Sequence, residues 1–325
     1  MIAGAGAEPG AQALPRFPLG LLPTPLVRAR RMERALGTGP LLLKRDDLIG
    51  FGVAGNKTRP LEYLLGAARA DGADVFVTGG GPGSNFCPAA AMAARAAGLD
   101  CELVVWGDPD GAPNLALAAA AGAELLPTGG TDREAVDILV EERAAELRSL
   151  GRRPYAVPRG GSTALGAVGF ATAATELLTQ LDAPPALIVL AVGSGGSCAG
   201  LVAGLAAAGV DVPVLGVSVS RPPDEIAAHV RELAAGCAAL IGGPPPPDPE
   251  IVDARGPGFG TATAAERERA RLALHTEGLL LDETYGAEAF SAAVDRLLDG
   301  PAGPVVLWHT GGLLPAVGSI TKGSP

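Results

Sequence analysis

Residues Leu187-Ile188-Val189-Leu190-Ala191-Val192-Gly193-Ser194-Gly195-Gly196-Ser197 run from an unbroken apolar stretch into a glycine-serine turn, and an Ala/Gly-rich helical candidate, Ala199–Ala208, follows. A continuous apolar run bounded by turn residues reads as a strand buried on both faces, as in parallel sheets covered by helices. The pattern recurs outward in both directions. Further apolar runs are Leu41–Leu43, Asp74–Thr78, Glu102–Trp106, Glu124–Leu126, Tyr155–Val157, Val214–Val219 and Val305–Trp308. Helical candidates at Pro60–Ala70, Ala89–Ala97, Asp132–Leu150 and Ala164–Gln180 lie among them. Strand and helix in alternation predict an α/β fold with parallel sheets. No internal repeat is present, and the Pro-rich stretch Gly242–Pro249 reads as a surface loop.

Three of the runs end in glycine-rich turns. Asp74–Thr78 leads into Gly79-Gly80-Gly81-Pro82-Gly83-Ser84-Asn85, Leu187–Val192 into Gly193–Ser197, and Val305–Trp308 into His309-Thr310-Gly311-Gly312. Ligands of open α/β sheets collect outside the carboxyl ends of the strands. Three such turns therefore predict one site assembled from distant parts of the chain.

The chain has 325 residues, which suggests two domains or one large α/β unit. Hydrophobic residues make up 48%, aromatics only 4%, and there are 47 glycines, so an aliphatic core with many close backbone approaches is expected. The net charge of −10, with no basic face, argues against a nucleic-acid partner. Cys87, Cys101, Cys198 and Cys237 have no metal-ligand spacing, and the three histidines, His229, His275 and His309, are scattered. Reduced thiols in a cytoplasmic protein and no metal site are expected. Met1 to Pro15 lacks a basic start and a long apolar run, so it reads as a loosely ordered leader rather than a signal peptide. No stretch is long and apolar enough to span a membrane.

The turn Gly193-Ser194-Gly195-Gly196-Ser197 has the makings of a phosphate site. Unpaired N–H groups at a helix N-terminus bind anions, the glycines permit close approach, and Ser194 and Ser197 add hydroxyls. A plain tight turn is the alternative. A dinucleotide fingerprint is excluded because Cys198 stands where the third glycine would be, and a Walker loop because there is no lysine. In Ala54-Gly55-Asn56-Lys57-Thr58-Arg59-Pro60-Leu61-Glu62, Pro60 suits a first helical turn and places Lys57 at or just before a helix start. The helix dipole and burial would lower the pKa of an amine there, as a Schiff-base lysine requires. An ordinary surface lysine is the alternative. The other two lysines fit such a role less well, Lys44 having charged neighbours in Lys44-Arg45-Asp46-Asp47 and Lys322 lying in a polar tail. Ser84, ahead of the helix at Cys87–Ala97, reads by position as an N-cap, with nucleophile and proton relay as the alternatives.

Taken in order, these segments resemble the D-cysteine desulfhydrase and 1-aminocyclopropane-1-carboxylate deaminase family. The resemblance runs from about Leu21 to Val317. It includes Pro23-Thr24-Pro25-Leu26, Lys44-Arg45-Asp46-Asp47-Leu48, Gly55-Asn56-Lys57-Thr58-Arg59, Ser84-Asn85, Gly160-Gly161-Ser162-Thr163-Ala164-Leu165-Gly166, Gly193–Ser197 and His309–Gly312. It implies a fold-type II enzyme of the tryptophan synthase β-subunit kind, with two parallel-sheet domains and pyridoxal 5′-phosphate in the cleft between them. The large domain would comprise residues 1–59 and 171–325, and the small one 60–170. It further implies that Lys57 carries the cofactor and then transfers a proton, and that Ser194, Gly195, Gly196 and Ser197 cup the phosphate. Asn85 would bond the ring oxygen, and Thr310 would face the ring nitrogen. Ser84 would lie near the substrate carboxylate or reacting carbon, and Tyr285 would be an active-site tyrosine.

The sequence also departs from the family. Phe259-Gly260 stands where the family often has Tyr-Gly, and Phe86 where His or Gln often follows Ser-Asn. Gly286 and Thr310 stand where the deaminase has Glu and Leu. The last two differences argue against cyclopropane ring opening. The two phenylalanines point away from D-cysteine and toward a bulkier or more apolar β-substituent. The expected enzyme is a lyase performing β-elimination on a small amino acid, cytoplasmic and homodimeric. Rival readings are a β-replacement synthase, a ring-opening deaminase, a catalytically weakened binding protein, and a phosphate-sugar or nucleotide enzyme.

Overall fold

The structure, a computed structural model, describes residues 14–322. Of the expected leader, residues 1–13 lie outside the described residues. The described strands form two sheets. The larger holds β1 (Leu26–Arg28), β2 (Leu41–Arg45), β7 (Leu187–Val192), β8 (Val214–Ser218), β9 (Glu250–Asp253) and β10 (Val305–His309), in the order β1-β2-β10-β7-β8-β9. The smaller holds β3 (Val75–Gly80), β4 (Asp100–Val105), β5 (Glu124–Pro127) and β6 (Pro154–Ala156), in the order β5-β4-β3-β6. Every pairing is parallel except β1 with β2. The last strand, β10, lies between β2 and β7, with Val305 opposite Leu41 on one side and Leu187 on the other. The turns after β2, β7 and β10 therefore open on the same edge of the sheet.

Among the described residues, eleven α-helices connect and cover these strands: α1 (Arg30–Leu36), α2 (Thr58–Ala70), α3 (Phe86–Ala96), α4 (Pro113–Ala120), α5 (Val136–Ser149), α6 (Ala164–Thr179), α7 (Gly196–Ala207), α8 (Pro223–Ile241), α9 (Ala264–Glu277), α10 (Gly286–Leu298) and α11 (Leu313–Lys322). The high Ala and Gly content has a visible use where α6 meets α7. A side chain at Gly200 would strike the Ala167 carbonyl, and one at Gly204 the backbone of Ala171. Gly169 in the same way brings α6 against the backbone of Arg59 and Pro60 at the start of α2. No helix among the described residues is long and apolar enough to cross a membrane.

All eight apolar runs are strands, so the α/β reading with parallel sheets holds. Two strands were not anticipated. β1 has only three residues, and β9 directly follows the Pro-rich loop, whose polarity masks its first residue. Four of the five expected helix starts also differ, α2 beginning at Thr58 rather than Pro60 and α3 at Phe86 rather than Ala89. Asp132 is not helical, because its carboxylate accepts the Glu134 N–H (2.9 Å) in a local turn, and α5 begins at Val136. Conversely, α7 begins at Gly196, three residues before the expected Ala199, so the last glycine of the turn is the first helical residue.

Candidate functional site

The segments expected to carry chemistry meet at the carboxyl edges of both sheets. Lys57, Ser84, Asn85, Ser194, Gly195, Gly196, Ser197, Tyr285 and Thr310 all line one cavity of about 700 Å³. Lys57 ends a 3-10 turn and immediately precedes α2. Ser84 and Asn85 follow β3 and open α3. The Ser194–Ser197 turn joins β7 to α7, Tyr285 precedes α10, and Thr310 follows β10.

Lys57 is held by its neighbours in the chain. The Asn56 N–H donates to the Thr310 carbonyl (2.8 Å), and Asn56 Nδ2 donates to Ser197 Oγ (3.0 Å). Gly55, at φ +54°, lies so close to the Thr310 carbonyl that any side chain would collide with it. Burial of the Lys57 amine lowers its pKa from the usual lysine value to about 8. About a tenth of it is therefore unprotonated and nucleophilic at pH 7, far more than of an ordinary lysine.

The turn after β7 is shaped for close approach. Gly195 has φ +91°, a conformation that side chains disfavour, and a Cβ there would lie 3.1 Å from Val230 Cγ2. Ser194 accepts a hydrogen bond from Ser162 Oγ (2.7 Å), and Ser162 Oγ itself accepts the Gly196 N–H (3.3 Å). The first N–H groups of α7 have no carbonyl within their own helix. Those of Ser197 and Cys198, at its positive end, are thus available to an anion.

Tyr285 packs on this turn, since a Cβ at Gly193 would lie 3.0 Å from Tyr285 Cε1. The Phe259 ring meets it edge-on, with centroids 6.1 Å apart and planes at 83°. Burial raises the Tyr285 phenol well above its ordinary value, so it keeps its proton. Its backbone is fixed by Asp282, whose carboxylate accepts N–H groups from Thr284 (3.1 Å), Tyr285 (3.1 Å) and Gly286 (3.0 Å). Burial pushes the Asp282 carboxyl up to about 6 despite these three donors.

On the opposite wall, Ser84 Oγ accepts the Cys87 N–H (3.3 Å), as an N-cap would. Asn114 Nδ2 donates to Asn85 Oδ1 (3.2 Å), which leaves the Asn85 amide N–H groups to serve elsewhere. Phe86 is fully buried, whereas Phe259 is 44% exposed and also borders a second, shallower cavity of about 410 Å³. Lys44 is wholly buried and hydrogen-bonds Glu176, Gln180 and the Thr24 carbonyl, so its amine is engaged away from the cavity.

Four contributors were not singled out from the sequence. Asn56 and Ser162 lay in quoted motifs without a role. Asp282 was legible as an acid just ahead of a helix start, where capping residues belong. Asn114 carried no signal, because its pairing with Asn85 exists only through the fold.

Residues 18–311 match the family described as pyridoxal-phosphate dependent enzyme. A Salmonella typhi D-cysteine desulfhydrase is 33% identical over 310 residues, covering 92% of this chain and 94% of the relative. A Pyrococcus horikoshii protein, provisionally named 1-aminocyclopropane-1-carboxylate deaminase, is 36% identical over 304 residues, covering 92% and 93%. A crystal structure of an ACC deaminase homologue superposes with a TM-score of 0.90 at 34% identity, covering 95% of both chains. Pyridoxal phosphate needs an amine for its aldehyde and a cradle for its phosphate. The cavity offers an amine whose pKa is lowered by burial and a glycine turn at a helix N-terminus, facing the same space. The chain therefore belongs to the family of pyridoxal-phosphate-dependent enzymes.

Proposed function

We propose that the chain is a lyase that eliminates the β-substituent of a small amino acid, releasing a keto acid and ammonia. The observation that carries this reading is a pair of groups on one cavity with opposite proton preferences. Burial leaves more of the Lys57 amine unprotonated and free to accept a proton, and keeps the Tyr285 phenol protonated with a proton to give. Titratable groups pushed apart in this way are the usual mark of an acid and a base in one reaction. Pyridoxal phosphate, when bound, supplies an electron sink for negative charge at the substrate Cα.

The side chains divide the remaining work. Lys57 would hold the cofactor through its aldehyde, and the Lys57 amine would take the proton from the substrate Cα. The amides that open α7, with Ser194 and Ser197, hold the phosphate. Asn85 would bond the cofactor's ring oxygen, and Thr310 would offer its ring nitrogen a hydroxyl rather than a carboxylate. Ser84 donates to the substrate carboxylate. Tyr285 hands its proton to the group leaving Cβ. The Cα–H and Cβ–X bonds break, X departs protonated, and water converts the released enamine to keto acid and ammonia.

Gly286 has no side chain, so the acid of the deaminase pattern at that position is missing, which favours elimination over ring opening. The partly exposed Phe259 ring, set between the main and the shallower cavity, favours an apolar or extended β-substituent. We further propose a small domain of residues 60–170, in keeping with the four strands of the smaller sheet lying inside that span. A homodimer in the cytoplasm completes the reading. Four buried unpaired thiols suit a reducing compartment. Leu21 and Leu48 stay exposed near one another, with the Leu21 N–H bonded to the Ile49 carbonyl, which suits burial by a second copy.

The test is a product screen of the purified protein against D- and L-amino acids with a leaving group at Cβ, with Lys57→Ala in parallel. Keto acid and ammonia in equal amounts from at least one of them, lost in Lys57→Ala, are expected. Ammonia from 1-aminocyclopropane-1-carboxylate alone, with no elimination from any β-substituted amino acid, would overturn the reading.

A further inference from the structure

Residues from three of the motifs that carry the family resemblance, Thr24, Lys44, Asp46 and Arg59, lie outside the cavity lining, yet they converge on one another. Arg59, the second residue of α2, sends Nε and Nη2 to the two oxygens of Asp46 (2.7 and 2.8 Å). Its Nη1 and Nη2 reach the two oxygens of Glu176 on α6 (both 3.0 Å), and Nη2 also reaches Thr24 Oγ1 (3.1 Å). Thr24 donates in turn to Asp46 Oδ1 (2.8 Å), and Lys44 donates to Glu176 and to the Thr24 carbonyl. Thr24, Lys44, Asp46 and Arg59 are all buried.

We propose that Arg59 is a positioning residue, and that its hydrogen-bonded fork on Asp46 and Glu176 fixes the start of α2 and thereby the Lys57 amine. The inference rests on the assignment of Lys57 above. Burying four charges is costly, and apolar residues of similar size would pack at least as stably. A cation in a first helical turn is also unfavourable to the dipole. A planar fork provides what apolar packing lacks, which is a set direction and register.

The geometry gives that register a purpose. Asp46 directly follows β2, and β2 pairs with β10, whose continuation at Thr310 holds Asn56. Lys57 thus sits between two anchors referred to the same pair of strands, Asn56 before it and Arg59 after it. On the far side, Gly169 seats α6 directly on the Arg59 backbone. Lys44 and Arg59 balance Asp46 and Glu176, so the cluster has no net charge to impose on the cavity. Consistently, burial is the cause of the lowered Lys57 pKa, and no charged neighbour contributes to it. The cluster acts through placement and not through its field.

The experiment compares Arg59→Lys, which keeps the charge and loses the fork, with Arg143→Lys, which alters an ion pair with Glu102 on the smaller sheet. The rate at which pyridoxal phosphate becomes borohydride-fixable on the apo-protein is measured against pH. Alongside it are cofactor affinity, Tm, and kcat and KM on the best substrate of the product screen. We expect Arg59→Lys to lower the plateau fixation rate and kcat by roughly ten- to a hundredfold, the effect of displacing a reacting group by about 1 Å. KM and the pH midpoint of fixation should stay unchanged, and Arg143→Lys should show neither loss. Wild-type fixation and kcat in folded Arg59→Lys would overturn the proposal, as would a shifted midpoint or equal losses in Arg143→Lys. Should Arg59→Lys prove insoluble, Glu176→Gln is read by the same criteria. Lys57→Ala tests the underlying assignment separately, since cofactor fixed in that variant would remove it whatever Arg59→Lys does.

Discussion

Replacing Ser197 by alanine separates two roles that one hydroxyl performs. In the protein its oxygen accepts from Asn56 Nδ2 at 3.0 Å, and its hydrogen is free to donate into the cavity. The two losses have different signatures. Asn56 is 8% exposed, so stranding its amide costs on the order of 1–3 kcal/mol of stability in apo- and holoprotein alike. Losing a donor to the phosphate dianion costs about 1.5–3 kcal/mol in the holoprotein only. That corresponds to roughly a ten- to hundredfold rise in the Kd for pyridoxal phosphate. The assay is equilibrium titration of the apo-protein with cofactor, followed by absorbance, beside thermal melts of both forms. A lower Tm in both forms together with a raised Kd is expected. A lower Tm with an unchanged Kd would refute the reasoning, leaving Ser197 as a partner of Asn56 and the loop as a structural turn.

Other outcomes follow from the same geometry. Gly195→Val should weaken cofactor binding more than Ser197→Ala, because φ +91° strains any side chain and Val230 lies in its way; equal Kd values in titration would contradict this. Borohydride should fix the cofactor on the peptide containing Lys57, at a rate that rises with pH to a midpoint near 8. The neutral amine at pH 7 is then roughly 300 times more abundant than for an ordinary lysine, and a midpoint above 10 would remove the burial argument. Asp282 has a folded pKa near 6, above its unfolded value, so its contribution to stability is full below about pH 4 and is lost as pH rises through 6. Chemical denaturation should therefore show the cost of Asp282→Asn shrinking by about 2 kcal/mol between pH 4.5 and 7, and a constant difference would contradict that. Phe259→Tyr should raise turnover on D-cysteine and lower it on the preferred larger substrate, and assays showing no change on either would mean that the ring does not face the reacting groups.

The fold was legible because each buried parallel strand is a short apolar run bounded by glycine, a signal carried within six residues or so. Helix starts were less legible, because they depend on which competing local hydrogen bond wins. At Asp132 the side chain captured a nearby N–H and delayed α5, while at Gly196 a residue that reads as part of the turn became the first of α7. The candidate site was legible where chemistry demands a residue type, as with a lysine preceding a helix or glycines ahead of one. Most residues that hold those groups in place were not, because Asn56, Ser162 and Asn114 act through partners distant along the chain, whereas Asp282 acts locally on the helix start that follows it.

The Arg59 cluster shows why that second set matters. In the sequence, Lys44 stands among charged neighbours in Lys44-Arg45-Asp46-Asp47, and Arg59 only closes the motif that begins at Gly55. The fold buries Lys44, Asp46 and Arg59 together and closes the group with Thr24 and Glu176. A reactive lysine needs a low-dielectric setting to lower its pKa and a fixed position to reach its target. Burial alone supplies the first, but an apolar surround supplies no direction. Asn56 on one side and Arg59 on the other supply it through oriented hydrogen bonds, and because the cluster is neutral they do so without reversing the effect of burial on the amine. Position and reactivity at Lys57 are thus set by separate parts of the structure, and a substitution can alter one while sparing the other.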